Sequence, residues 1–184
     1  MPDFSNTNIS TLIANIALLL REGMGFLTVL SAVMAVFLIL VAGKMLLDQS
    51  KESNRDGIGG IIWTLIAAAG LGAIGASVST IEATVLGPGQ TSSILSYRPS
   101  GGNTLESQWT DGLFVVLMFV QLVGYIAIIR GWLMLRRIQH GDKEGDDGGW
   151  RITAHFIGGA MCTNIIGTLS VISMIFFNTP LNLR

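Results

Sequence analysis

With 184 residues, half of them hydrophobic, only 12% charged and a net charge of −1, the chain falls well below the roughly 25% charged content of a soluble domain. That composition assigns most of the chain to lipid, and the near-zero charge argues against nucleic acid as a direct partner. One cysteine, Cys162, excludes an internal disulfide; inside an apolar run it reads as a small buried side chain.

Met1 to Ser10 is polar and lacks Lys and Arg, so no basic region precedes an apolar one as in a secretory signal. Insertion is expected to be directed by the spans themselves. Residues 8–20 place Ile9, Leu12, Ile13, Ile16 and Leu20 at helical spacing opposite Ser10, Thr11 and Asn15. That is too short to span, and it predicts an amphipathic helix at the membrane surface or docked on a partner. Arg21-Glu22-Gly23 is expected to separate it from the next run.

The first predicted span covers residues 25–47, with Lys44 near its end, where a long side chain snorkels to the headgroups. A short charged loop to Gly60 forces the second span, residues 61–85, back antiparallel. This span is poor in bulk, and Ala68, Gly72, Ala76 and Thr80 fall four residues apart on one face. In lipid such small residues let backbones approach, so the face predicts a helix-packing seam within the chain or between subunits. Residues 87–111, rich in Gly, Pro, Ser and Thr, read as a loop. The third span covers residues 112–135 with Gln121 and Arg130 as polar intrusions, and the fourth covers residues 150–177, before Pro180. In the fourth, Ala160, Asn164 and Thr168 form a second predicted seam.

Laying residues 26–84 over residues 114–172 matches Gly43 with Gly131, Gly57 with Gly145, Gly60 with Gly148, Gly70 with Gly158 and Thr80 with Thr168. Fixed-offset self-similarity marks an internal repeat, here a membrane hairpin written twice. Basic residues cluster in the two short loops: Lys44, Lys51 and Arg55 in one, and Arg130, Arg136, Arg137, Lys143 and Arg151 in the other. The long loop holds Arg98 alone. The positive-inside rule then puts both short loops in the cytoplasm and the termini outside. Lys51, Arg55, Arg136, Arg137, Lys143 and Arg151 are expected to meet phospholipid headgroups or partner proteins. The expected fold is all-α, a polytopic membrane protein of four transmembrane helices in two parallel hairpins. Its segments are an N-terminal amphipathic segment (1–24), a first hairpin (25–86), an extracytoplasmic loop (87–111) and a second hairpin (112–184).

Residues with chemical potential have plain readings. His155 has only His140 as a companion, short of the three or four ligands of a metal site. Asp142, Glu144, Asp146 and Asp147 miss calcium-loop spacing and read as a solvated turn. The glycines at 57, 59–60, 145 and 148–149 are not followed by the Gly-Lys-Ser/Thr of a phosphate loop. Gln121 and Asn164 are candidates for interhelical hydrogen bonds, and Glu82 stands near the outer end of the second span, where an ionisable group is a candidate for function. Trp63, Trp109, Trp132 and Trp150 lie near predicted span ends, the pattern of an aromatic belt. No catalytic, cofactor-binding or metal residue is assigned, and structural phospholipid is the one non-protein component envisaged.

Gly/Ala-rich spans joined by a short basic turn are similar to the conjugative pilins of type IV secretion systems, although here the unit occurs twice. Over most of the chain from Gly25, the sequence resembles the TraQ / IcmC (DotE) family of type IVB secretion and conjugation systems. The resemblance rests on Gly43-Lys-Met-Leu-Leu, Asp56-Gly-Ile-Gly-Gly60, Gly148-Gly-Trp-Arg-Ile152, Gly158-Gly159 and Asn164-Ile-Ile-Gly-Thr168. It implies a non-enzymatic, oligomer-forming inner-membrane part of such an apparatus, among other apparatus proteins. A pilin-like subunit of an extracellular pilus assembled with phospholipid, or a small channel or transporter, are the alternatives.

Overall fold

The computed structural model describes residues 9–51, 58–87, 104–137 and 148–178, and every regular element among them is an α-helix. The helices are α1 (Ile9–Lys51), α2 (Ile58–Gly72), α3 (Ile74–Leu86), α4 (Leu105–Arg137), α5 (Gly148–Thr163) and α6 (Ile165–Phe177). By length and composition α1 and α4 can each cross a membrane, and there are up to four crossings if each of the bent pairs α2–α3 and α5–α6 is one span.

α1 has 43 residues, so at 1.5 Å per residue it is about 64 Å long, twice the roughly 30 Å of a hydrocarbon core. The break expected at Arg21-Glu22-Gly23 does not occur. Arg and Glu are good helix formers, and the lone glycine, costing about 1 kcal/mol, faces α4: a Cβ on Gly23 would lie 3.3 Å from Leu122. The amphipathic segment expected as a separate helix is thus the first part of α1. Along α1 the buried residues Ala17, Met24, Ser31 and Leu38 recur every seven positions, accompanied by Ala35 and Ala42. A heptad seam of mostly small residues is what close helix pairing selects.

Ala17 packs with Met118, and Gly23 meets Leu122, so numbers rise together along α1 and α4 and the two helices run parallel. The stretch from α2 to the start of α4 therefore returns the chain from the Lys51 end to the Ile9 end. α4 itself begins at Leu105, so the last part of the segment expected as a loop is helical. α2 packs chiefly on α1, and α5 on α4, which gives two antiparallel pairs.

Neither the second nor the fourth expected span is continuous. α2 and α3 meet at 95°, and α5 and α6 at 94°. At the first corner Ala73 has φ −110° and ψ 46°, and at the second Asn164 has φ −116° and ψ 59°. The two hairpins share one plan, a long helix followed by a helix bent through a right angle. The bend pairs Ala73 with Asn164, whereas the gap-free overlay paired Ala73 with Met161, so the register of the repeat is corrected by three positions.

Two packed clusters hold the bundle. One joins Ala35 and Leu38 of α1, Ala67, Ala68 and Leu71 of α2, Ile74 and Val78 of α3, and Ile128 and Ile129 of α4. The other joins Ala17 and Met118 with Leu20, Phe114, Ile165 and Ile166. Closest approach falls at glycines. A Cβ on Gly70 would enter the indole of Trp132. One on Gly124 would stand 2.7 Å from the Thr163 amide nitrogen and 2.8 Å from the Gly159 carbonyl oxygen. Backbone cannot yield as a side chain can, so Gly124→Ala should cost about 1–3 kcal/mol and lower the thermal unfolding midpoint in detergent. Gly158→Ala, whose Cβ meets nothing within 4 Å, should leave the midpoint unchanged or raise it.

Candidate functional site

The corners determine where polar side chains go. A right-angle bend frees backbone groups that an apolar phase does not satisfy. At the first corner the Ser77 hydroxyl donates to the Gly70 carbonyl at 2.6 Å, seven residues back. At the second the Thr168 hydroxyl donates to the Met161 carbonyl at 2.9 Å, again seven residues back. The second corner has an additional bond: the Asn164 side-chain oxygen accepts from the Gly167 amide at 3.0 Å. A Cβ on Gly167 would come within 2.7 Å of that oxygen. The first corner has no such side chain at Ala73, and alanine occupies the equivalent position, Ala76.

Bending also carries Glu82 inward. Near the outer end of a straight span it would meet the interface; on α3 it is 9% exposed and its carboxyl group is hydrogen-bonded to Thr163 of α5. The Thr163 hydroxyl also lies 3.0 Å from the carbonyls of Gly159 and Ala160 in its own helix. Tyr125 of α4 stands close enough to feel the Glu82 charge. Gln121, one turn before Tyr125, is buried, and its Oε1 has no hydrogen-bond partner. Across Tyr125 lies a pocket of about 260 Å³ between α1 and α4, lined by Arg21, Met24, Gly25, Thr28 and Tyr125. Glu82, Gln121, Tyr125, Thr163 and Arg21 thus form one polar level, with Tyr125 between the Glu82–Thr163 contact and the pocket.

Of the expected packing residues, Ala160, Asn164 and Thr168 are all buried, at 0%, 1% and 4% exposure. Ala68 is buried too, and a Cβ on Gly72 would lie 3.5 Å from Ala35 of α1, but beyond the first corner Ala76 and Thr80 are exposed. The inward face of that pair is instead Ile61, Thr64, Ala67, Leu71, Ile74, Val78 and Glu82. Among the expected headgroup cations Arg151 is exposed and Arg136 half-buried. Lys51 and Arg137 are the last residues of α1 and α4, while Arg55 and Lys143 lie outside the described residues. His155 uses its Nδ1 on the Arg151 carbonyl at 2.7 Å, and His140 and the acidic turn around Asp142 to Asp147 lie outside the described residues. Trp63, Trp109 and Trp150 are exposed. Trp132 is not a belt residue; it packs edge-on against Phe156 with ring centroids 5.0 Å apart, its indole nitrogen buried without a partner.

Sequence reading missed Tyr125, Thr163 and Arg21 as one group, because only the bends bring them to Glu82. The available signal was the one-turn spacing of Gln121 and Tyr125. Comparison with models of known protein families, with curated proteins and with solved structures finds no match to this chain.

The second corner makes a non-additive prediction. Asn164→Ala should cost about 1 kcal/mol for the lost cap, and Gly167→Ala should also destabilise by crowding Asn164. The double variant Asn164→Ala/Gly167→Ala recreates the Ala73/Ala76 pair of the first corner and should be more stable than the sum of the two single losses. Thermal unfolding of the four proteins measures this; strict additivity would show that Gly167 is not there to admit the Asn164 side chain.

Proposed function

We propose that the chain is a non-enzymatic, oligomer-forming component of a bacterial inner membrane, part of a type IVB conjugation or secretion apparatus, and that it crosses the membrane four times. Parallel α1 and α4 support the crossing number. If both helices cross in the same direction, the chain recrosses between them, and among the described residues the helical pair α2–α3 is the segment suited to that in lipid, where exposed irregular backbone is excluded. The resemblance to the TraQ / IcmC (DotE) family supports the apparatus. Both short basic loops then lie in the cytoplasm, with Arg151 exposed beside one of them to meet headgroups or neighbouring apparatus proteins.

The observation that carries the assembly reading is the different fate of the two seams. Ala160, Asn164 and Thr168 close the fold of their own chain, whereas Ala76 and Thr80, beyond the first corner, are exposed. Small residues facing lipid gain nothing from it, and the same face packed on a second subunit gains close backbone contact. Ala76→Leu should therefore leave membrane insertion and helix content intact while shifting the protein to lower-mass species on native gels. Unchanged oligomer mass would remove the seam reading. A second reading, a small channel or transporter, is favoured by the polar level around Tyr125; ion flux into liposomes that is lost in Glu82→Gln would support it over a purely structural role.

A further inference from the structure

The pocket between α1 and α4 has an unusual balance of hydrogen-bonding groups. Arg21 contributes a guanidinium that makes no hydrogen bond or ion pair among the described residues, and Tyr125 a phenol that likewise donates to none. Thr28 is occupied, its hydroxyl donating to the Met24 carbonyl at 3.0 Å. Met24 supplies an apolar wall, and Gly25 leaves its side open, since a Cβ there would meet nothing within 4 Å. Glu82 is not a lining residue and is engaged by Thr163, and Glu22, exposed beside Arg21 in α1, does not line the pocket either. The cavity therefore offers a fixed positive charge and a second donor, with no acid of its own to neutralise them.

A ligand that completes this site brings negative charge and acceptor oxygens. An Arg fork prefers planar or tetrahedral oxyanions that take two N–H groups at once, and the roughly 260 Å³ of space accommodates a phosphodiester. Apolar surface continues from the pocket in both helices: Leu18 and Val29 of α1 are 59% and 63% exposed, and Ile126 of α4 is 44% exposed. These residues provide a track for hydrocarbon. We infer that Arg21 and Tyr125 form a binding site for the phosphate group of an anionic phospholipid, seated between α1 and α4 with its chains along their outer faces. This site is distinct from the cytoplasmic cations near the helix ends, and it rests on the membrane placement of the bundle alone, independent of any apparatus.

Native mass spectrometry of the full chain in a mild uncharged detergent, titrated with phosphatidylglycerol, tests the inference. The wild-type protein should retain one lipid per chain. Arg21→Gln should weaken retention about tenfold, the loss of a charge-assisted hydrogen bond, and Tyr125→Phe by a smaller factor. Arg130→Gln, which removes an exposed cation outside the pocket, should leave retention unchanged. Equal retention by Arg21→Gln and wild type, or an equal loss in Arg130→Gln, would overturn the site. Helix content by circular dichroism separates a binding defect from misfolding, and Tyr125→Phe, lacking only an oxygen, keeps the test valid if Arg21→Gln does not fold. Millimolar inorganic phosphate should fail to displace the lipid; displacement would overturn the lipid as source and leave a site for free phosphate.

Discussion

Each corner in this protein must solve one problem: a helix that turns through a right angle leaves carbonyls and amides without their partners in the helix ladder, and such groups need another partner wherever water is excluded. Both corners solve it with a hydroxyl four residues past the corner, Ser77 or Thr168, donating back to a carbonyl three residues before it. The rest of the architecture follows from the bends being tolerated there. They direct α3 across α5, bring Glu82 to Thr163, and leave Ala76 and Thr80 exposed. Without the bends the second and fourth spans would be simple returns, and the polar groups would be spread along their lengths.

The second structural requirement is space. Gly124 and Gly159 allow α4 and α5 to meet backbone to backbone, and Gly70 accepts the indole of Trp132. In water such contacts would be reinforced by expelling solvent from apolar surface. Between helices in lipid such contacts depend on dispersion and fit, and it is small residues rather than bulky ones that mark them here. The arrangement divides labour between the hairpins. The second closes on itself through Ala160, Asn164 and Thr168, while the first leaves a small-residue face to its surroundings.

Much of this plan was legible from the residues. Low charge and long apolar runs point to an all-helical chain with two to four candidate membrane spans, and the twofold plan of a long helix followed by a returning pair was visible too, although the glycine overlay set its register three positions off. The buried seam of the second hairpin was also visible, as Ala160, Asn164 and Thr168 at helical spacing. The corners were not: Ala73 is itself a strong helix former, and the helix-weakening Gly70, Gly72 and Gly75 around it read as part of a small-residue packing span rather than as a bend. Asn164 carried a better signal, being a residue that caps helices, three positions before a glycine. The continuity of α1 through Arg21-Glu22-Gly23 was hidden for the opposite reason. A charged pair and a glycine read as a boundary when the partner helix that Gly23 packs against, α4 at Leu122, is out of view. The polar level around Tyr125 depends on four helices and could be assembled only once their register was fixed.

The parallel run of α1 and α4 is the relation on which the crossing number, the pocket and the placement of both hairpins depend. Disulfide cross-linking in native membranes tests it most directly, in a Cys162→Ala background carrying Ala17→Cys with Met118→Cys or, as the opposing pair, Ala17→Cys with Arg136→Cys. Ala17 and Met118 lie in one packed cluster, so the first pair should cross-link rapidly within a chain and the second should not. Efficient cross-linking of Ala17→Cys to Arg136→Cys, with none to Met118→Cys, would make α1 and α4 antiparallel and contradict the account.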